Sequence, residues 1–222
     1  MKDLSDYSSL IFDCDGVVLN SNNVKTQAFR KVCTQYSQQA TDELIKYHQE
    51  NGGISRYVKF KYFLDQILPK YSLSKEIPAI EKLLEDYSQE AYSGLLNSSI
   101  AKGLKELRKK FTYQKWFIIS GGDQSELRQL FEERRLSKFF NGGIFGSPDT
   151  KEEIIKREIQ ESNLTNPILF LGDSRADHLA AKAYGIDFIF LSSWTDFSQY
   201  NEYCMHNNIK MLSQLEDLMY LE

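Results

Sequence analysis

With 222 residues, 41% of them apolar and 26% charged, the chain has enough material for a buried core and the make-up of a globular protein in water. A net charge of −4 argues against a nucleic-acid or anionic-membrane surface as the main partner. No apolar run approaches the roughly 18 residues of a membrane span, so no membrane partner is expected either.

The first predicted strand runs from about Leu10 to Leu19, through Leu10-Ile11-Phe12-Asp13-Cys14-Asp15-Gly16-Val17-Val18. Side chains at i and i+2 share a face of a strand, so Asp13 and Asp15 are expected to project together, with Cys14 turned away into packing. Two carboxylates so close repel unless a cation sits between them, and one of them can serve as nucleophile while the other moves a proton. The pattern fits a Mg²⁺ site with catalytic acids, and it fits equally a strand end with two solvated acids.

A long block with helical spacing follows. Val24, Ala28, Val32 and Tyr36 recur every four residues; Tyr57, Phe60, Leu64 and Ile67 follow the i, i+3, i+7 pattern; Ile80, Leu83, Leu84, Tyr87 and Ala91 do the same behind Pro78. Breaks are expected at Asn51-Gly52-Gly53 and at Pro69. Phe60 and Phe63 are read as core of this block. From about Asn97 short apolar strands alternate with helices: strand Trp116 to Ile119, helix at Leu127, Leu130 and Phe131, strand Gly143 to Gly146, helix at Ile154, Ile155 and Ile159, strand Ile168 to Leu171, helix through Leu179, Ala180 and Ala183, strand Phe188 to Leu191. That alternation predicts an α/β fold with a parallel sheet covered on both faces. The domains expected are an α/β core of residues 1–19 and 96–222 and an all-helical cap of residues 20–95. The stretch from about Trp194 to Glu222 is expected to be a last core element.

Polar clusters stand at or just past the predicted strand ends, where a parallel sheet forms its crevice. Ser120-Gly121-Gly122-Asp123-Gln124 reads as a turn whose backbone N–H groups approach an oxyanion, or as a glycine-rich turn with Ser120 or Asp123 capping a helix. Lys151 lies where the helix dipole disfavours a cation unless an anion lies in front of it. Gly172-Asp173-Ser174-Arg175-Ala176-Asp177 supplies two further carboxylates, which could equally be helix-capping acids.

In order and strand context the set Asp13-Cys14-Asp15-Gly16-Val17, Ser120, Lys151 and Gly172 to Asp177 resembles the haloacid dehalogenase superfamily of phosphotransferases over residues 9–191. A helical insertion directly after the first motif resembles the C1-type cap of the branch that holds beta-phosphoglucomutase and phosphoglycolate phosphatase. The resemblance implies a Rossmann-like core. It makes Asp13 the nucleophile and Asp15 the proton donor and base, and it has Ser120, Gly121 and Lys151 hold the phosphoryl group. Mg²⁺ would lie on Asp13, the backbone carbonyl of Asp15 and Asp173, with Asp177 in support. Lys151 would also keep Asp13 ionised. An acid at position 15 favours phosphate esters, because dehalogenases and phosphonate-cleaving relatives lack it.

Gly52-Gly53-Ile54-Ser55-Arg56 resembles the specificity loop of such caps, so Arg56 is expected either to grip a substrate anion or to be a solvated arginine beside a helix cap. Lys25 falls where mutase-like relatives carry a histidine, which argues against mutase activity. It is read as a substrate ligand or as a solvated helix residue, and the effect of Asn20 in place of the usual acid is left open. The function expected is a Mg²⁺-dependent phosphatase acting on a small phosphorylated metabolite, a sugar or hydroxyacid phosphate. A sugar phosphomutase and a non-catalytic binding protein of the same fold are the alternatives. Cys14, Cys33 and Cys204, without paired spacing, and an N-terminus lacking an apolar stretch point to the cytoplasm. The three histidines do not cluster with cysteines, so no zinc site is expected.

Overall fold

A computed structural model describes residues 2–71 and 77–220. Its elements in chain order are β1 (Ser9–Phe12), α1 (Asn22–Cys33), α2 (Gln38–Glu50), α3 (Arg56–Tyr62), α4 (Leu68–Tyr71), α5 (Ile80–Asn97), α6 (Leu104–Lys110), β2 (Lys115–Asp123), α7 (Gln124–Glu133), β3 (Gly143–Ser147), α8 (Lys151–Gln160), β4 (Ile168–Gly172), α9 (Arg175–Ala183), β5 (Asp187–Leu191), α10 (Tyr200–His206) and β6 (Lys210–Leu212).

The strands form one six-stranded sheet in the order β3-β2-β1-β4-β5-β6, and every neighbouring pair is parallel. Alternation along the strands divides the apolar residues between its two faces. Leu10, Phe12, Trp116, Ile118, Leu169 and Leu171 join one core cluster, which α6 and α7 cover with Leu104, Leu107, Leu127, Leu130 and Phe131. Ile11, Phe117, Ile119, Ile168 and Phe170 join the other, covered by Ile154 and Ile155 of α8 and Ala180 and Ala181 of α9. Burial on both faces explains why the strand segments read as unbroken apolar runs.

The helices α1 to α5 lie between β1 and β2 in the chain. Within them α1 packs on α2 and α5, and α3 packs on α5. Phe29 of α1 is the hinge of this packing, with ring centroids 4.7 Å from His48, 5.0 Å from Phe60 and 4.5 Å from Tyr87. Phe60 and Phe63 are fully buried there, as expected. The cluster that holds them runs without a gap into the α6/α7 face of the sheet.

Several sequence expectations need correction. Strand β1 stops at Phe12 rather than Leu19, because the chain turns at Asp13 and takes a left-handed conformation at Gly16, φ +75°. Ser120, Gly121 and Gly122 are not a turn: β2 stays extended through them to Asp123, which then caps α7 by accepting from the Glu126 N–H. Pro69 does not end its helix. A widened turn at Phe63–Ile67, with the Leu68 N–H donating to the Phe63 carbonyl, resets the hydrogen-bond register, and Pro69 falls in the first turn of α4, where a missing N–H costs little. Helices α2 and α6 are not singled out by the sequence pattern. In the stretch after Trp194, Cys204, Leu215 and Leu218 are buried, and its last two residues lie outside the described residues. Among the described residues no helix is long and apolar enough to cross a membrane. The cysteines are free and buried.

Phe117 sits in the sheet core with no exposure, whereas Met205 is 73% exposed. Phe117→Ala is expected to cost about 3–5 kcal/mol in urea unfolding, and Met205→Ala less than about 0.5 kcal/mol.

Candidate active site

The carboxyl ends of β1, β2 and β4, with the first turn of α8, bring the expected residues into one cleft. Lys151 is the first residue of α8, just after the Thr150–Glu153 capping box. Its Nζ lies 3.0 Å from Asp13 Oδ2 and is paired with Asp177 Oδ1 as well, all three groups being buried. Those two acids are the anions that the lysine's place at a helix N-terminus calls for. Asp13 Oδ1 accepts the Cys14 N–H at 2.7 Å. Asp177 is fixed from behind: its Oδ2 accepts the Ser174 N–H at 3.1 Å and the Ser174 hydroxyl at 2.5 Å, which closes the capping box of α9.

Asp173 completes the acidic group. One carboxylate oxygen from each of Asp13, Asp173 and Asp177 lies within 4.8 Å of the others. Asn22 Nδ2 donates to Asp173 Oδ2 at 2.8 Å and to the Trp194 carbonyl at 2.8 Å, and the Thr195 hydroxyl donates to the Asp173 carbonyl at 2.6 Å. Gly16 presses against the same carboxylate, for a Cβ there would fall 2.0 Å from Asp173 Oδ2. Asn22 and Thr195 carry no sequence signal of their own, because their role depends on contact with Asp173, 151 and 22 residues away.

Asp15 departs from the expected pair. Its carboxylate does not join the acidic group. Oδ1 accepts the Ser21 hydroxyl at 2.6 Å, and Oδ2 is paired with Lys25. Lys25 is thus neither a solvated helix residue nor a free substrate ligand. Burial works against its charge, but Asp15 beside it outweighs burial and holds the ammonium above its ordinary range. Ser120 is buried at the cleft, its Oγ accepting the Gly122 N–H at 3.2 Å.

Arg56 is also spoken for. Its guanidinium makes a two-pronged pair with Glu126 of α7, 2.7 Å on each arm. Tyr57 donates its hydroxyl to Asp123 Oδ2 at 2.7 Å beside it. These contacts tie α3 to the start of α7. The 51–55 loop descends onto the sheet so closely that a Cβ on Gly121 would stand 2.4 Å from the Gly53 carbonyl oxygen, and one on Gly53 would stand 2.5 Å from Ser174 Oγ. Gly121 therefore serves close approach of two backbones. The cleft, about 890 Å³ with its open mouth included, is lined by Asp13, Asp15, Ser120 and Asp173 from the core and by Lys25 and Lys59 from the helical block.

The electrostatics point to a missing positive charge. Burial, then Asp177, push the Asp13 carboxyl up to about 7 despite Lys151, so the lysine alone does not keep it ionised, contrary to the expectation from an adjacent cation. Burial, then Asp13 and Asp177, raise Asp173 well above the carboxylate range. Lys151 stays charged, since its two acids outweigh burial. Buried carboxylates in excess of the cation among them fit a divalent metal ion with oxygen ligands.

The family model described as Haloacid dehalogenase-like hydrolase matches residues 10–191. The chain belongs to the haloacid dehalogenase-like hydrolases. It is 24% identical over 191 residues to a phosphorylated carbohydrates phosphatase of Thermotoga maritima, covering 82% of this chain and 83% of that protein. Among solved structures, a haloacid dehalogenase-like family hydrolase from Streptococcus pneumoniae matches with TM-score 0.68 at 18% identity, covering 99% of this chain and 100% of that one. A structure titled as a predicted phosphoglycolate phosphatase from Haemophilus somnus matches with TM-score 0.74 at 14% identity, covering 98% of each. At such identities these structures establish a shared fold.

Gly121→Ala should force the 51–55 loop off the sheet, read as faster cleavage of that loop by subtilisin with an unchanged far-ultraviolet circular dichroism spectrum. A second expectation concerns pH. With Asp13 at about 7 when folded and 3.8 ordinarily, the folded protein holds a proton that the unfolded chain releases. Without metal, this group's contribution to stability is therefore present at acid pH and falls as pH rises from about 4 to 7. MgCl2 added to dialysed protein should raise Tm more at about pH 7.5 than at about pH 5; an unchanged Tm at the higher pH would contradict the metal site.

Proposed function

We propose that this hydrolase is a Mg²⁺-dependent phosphatase of small phosphorylated metabolites, carbohydrate or hydroxyacid phosphates, working through an aspartyl-phosphate on Asp13. The observation that carries the reading is the buried contact of Lys151 with both Asp13 and Asp177, beside Asp173. It gathers a nucleophile, a fixed cation and a metal-binding acid at one mouth of the sheet. In this reading α1 to α5 form a cap of residues 20–95, and the Arg56–Glu126 pair between α3 and α7 supports its closure over the core. The phosphatase named among the relatives supports the substrate class.

The residues divide the work by position. Asp13 attacks phosphorus through a carboxylate oxygen, and the bond to the ester oxygen breaks. The departing alkoxide takes its proton from the Asp15–Lys25 pair, in which the Ser21 hydroxyl aims the Asp15 carboxylate. The Asp15 carboxylate then takes a proton from water, whose oxygen attacks the phosphorus, releasing phosphate and freeing Asp13. Lys151 and the Ser120 hydroxyl, with the neighbouring N–H groups, offset charge on the non-bridging oxygens. Asp13, Asp173 and the Asp15 backbone carbonyl would hold Mg²⁺, with Asp177 in support, its Oδ1 on Lys151 and its Oδ2 on the Ser174 N–H. Bound there, the metal supplies positive charge against the meeting of anionic Asp13 with an anionic phosphate. The cap excludes bulk water and admits only small esters.

Asp13→Asn should lower phosphate release from para-nitrophenyl phosphate in MgCl2 by about a thousandfold or more, on the scale of losing a covalent nucleophile. Activity near that of the unaltered protein would overturn Asp13 as the nucleophile. An isomer accumulating in place of free phosphate would turn the reading to a mutase.

A further inference from the structure

Three cations of the helical block reach the cleft, and two of them are already paired. Arg56 is held by Glu126, and Lys25 by Asp15. Lys59 is different. It projects from α3 into the cleft wall and is 2% exposed. Its Nζ donates to His48 Nδ1 at 2.7 Å and approaches the His48 carbonyl at 3.4 Å, but among the described residues it has no carboxylate within ion-pair distance.

The groups around Lys59 orient it without neutralising it. Burial, then Lys59 and Lys25, push His48 well below its ordinary range, so the ring is neutral. With Nδ1 accepting from the lysine, the ring proton sits on Nε2, which lies 3.1 Å from the Thr26 hydroxyl. Thr26 passes its own proton toward Asp196 Oδ2 at 3.4 Å. Asp196 thus spends that oxygen on Thr26 and acts on Lys59 only through space. Burial, then the nearby Lys25, bring Lys59 down to about 7, and the more distant Asp15 and Asp196 offset only part of that. The Phe29 ring, 5.9 Å from Nζ, offers a weakly negative face and no full charge.

A buried ammonium aimed into a binding cleft and lacking a counter-ion is completed by an anion brought from outside. We propose that Lys59 binds a second anionic group of the substrate, a carboxylate or a second phosphate, so that the preferred esters carry a negative charge besides the phosphoryl group that is removed. This rests on the phosphatase reading for the first phosphoryl group. It moves the substrate anchor from Arg56 and Lys25, which the sequence offers either as substrate ligands or as solvated residues, to a lysine three residues further along α3 than Arg56.

Two matched ester pairs test it. Glycerol 3-phosphate and 3-phosphoglycerate differ by a hydroxymethyl against a carboxylate, and fructose 6-phosphate and fructose 1,6-bisphosphate by a hydroxyl against a phosphate. Dissociation constants are measured by calorimetry on the Asp13→Asn protein in MgCl2, and kcat/KM is measured on the unaltered enzyme. The more anionic member of at least one pair should bind about tenfold tighter or better, through KM more than kcat, as a charge-assisted contact in a dry site gives. A preference in the first pair only assigns the carboxylate, and in the second only the phosphate. Lys59→Gln should bring that ratio close to one, and Lys59→Arg should keep much of it. Equal binding within both pairs overturns the proposal, as does a preference that survives Lys59→Gln. Absence of turnover with every ester would overturn the phosphatase reading alone, because the calorimetric ratios still decide the role of Lys59.

Discussion

The structure depends on one buried ion cluster, Lys151 between Asp13 and Asp177. Each member comes from a different segment, the end of β1 and the first turns of α8 and α9, and the charge of each is offset by the others. An ammonium or a carboxylate removed from water costs several kcal/mol before compensation. The cluster therefore discriminates strongly against any arrangement in which one strand end is displaced. Even so it is not neutral: Asp173 leaves an excess of negative charge that burial magnifies.

The cleft is shaped by close backbone approach as much as by charge. The 51–55 loop meets the sheet where Gly53 faces Gly121 and Ser174, and a single added carbon at either glycine would collide. The Arg56–Glu126 pair and the Tyr57–Asp123 hydrogen bond hold α3 against α7 just outside that contact. Behind it, the helical block and one face of the sheet share a continuous apolar cluster. The roof of the cleft and its floor are thus fixed by three different kinds of interaction at neighbouring points.

Charge pairing also sorts residues that look alike in the sequence. Arg56, Lys25, Lys59 and Lys151 are all cations near the cleft, yet their partners set them apart: Arg56 meets Glu126, Lys25 meets Asp15, Lys59 meets His48, and Lys151 meets Asp13 and Asp177. Nothing in residue type separates them. Only the identity and distance of the opposing groups does.

The amino-acid sequence by itself determined the alternation of short apolar strands with helices, and so the parallel sheet, because burial on both faces leaves that pattern in the text. It also put Asp13, Ser120, Lys151 and Asp173 at or past the carboxyl ends of strands, which lie on the same side of a parallel sheet. Tertiary structure decided what pairwise distance controls. Asp15 turned from its expected neighbour to Ser21 and Lys25, because the chain leaves the strand at Asp13. Arg56 turned to Glu126, 70 residues away, and Lys59, ordinary in its helix, became a buried cation beside His48. Periodicity reports which face of an element is dry. It carries no record of which distant side chain waits on the other side, and in this cleft that opposing group decides what each charge does.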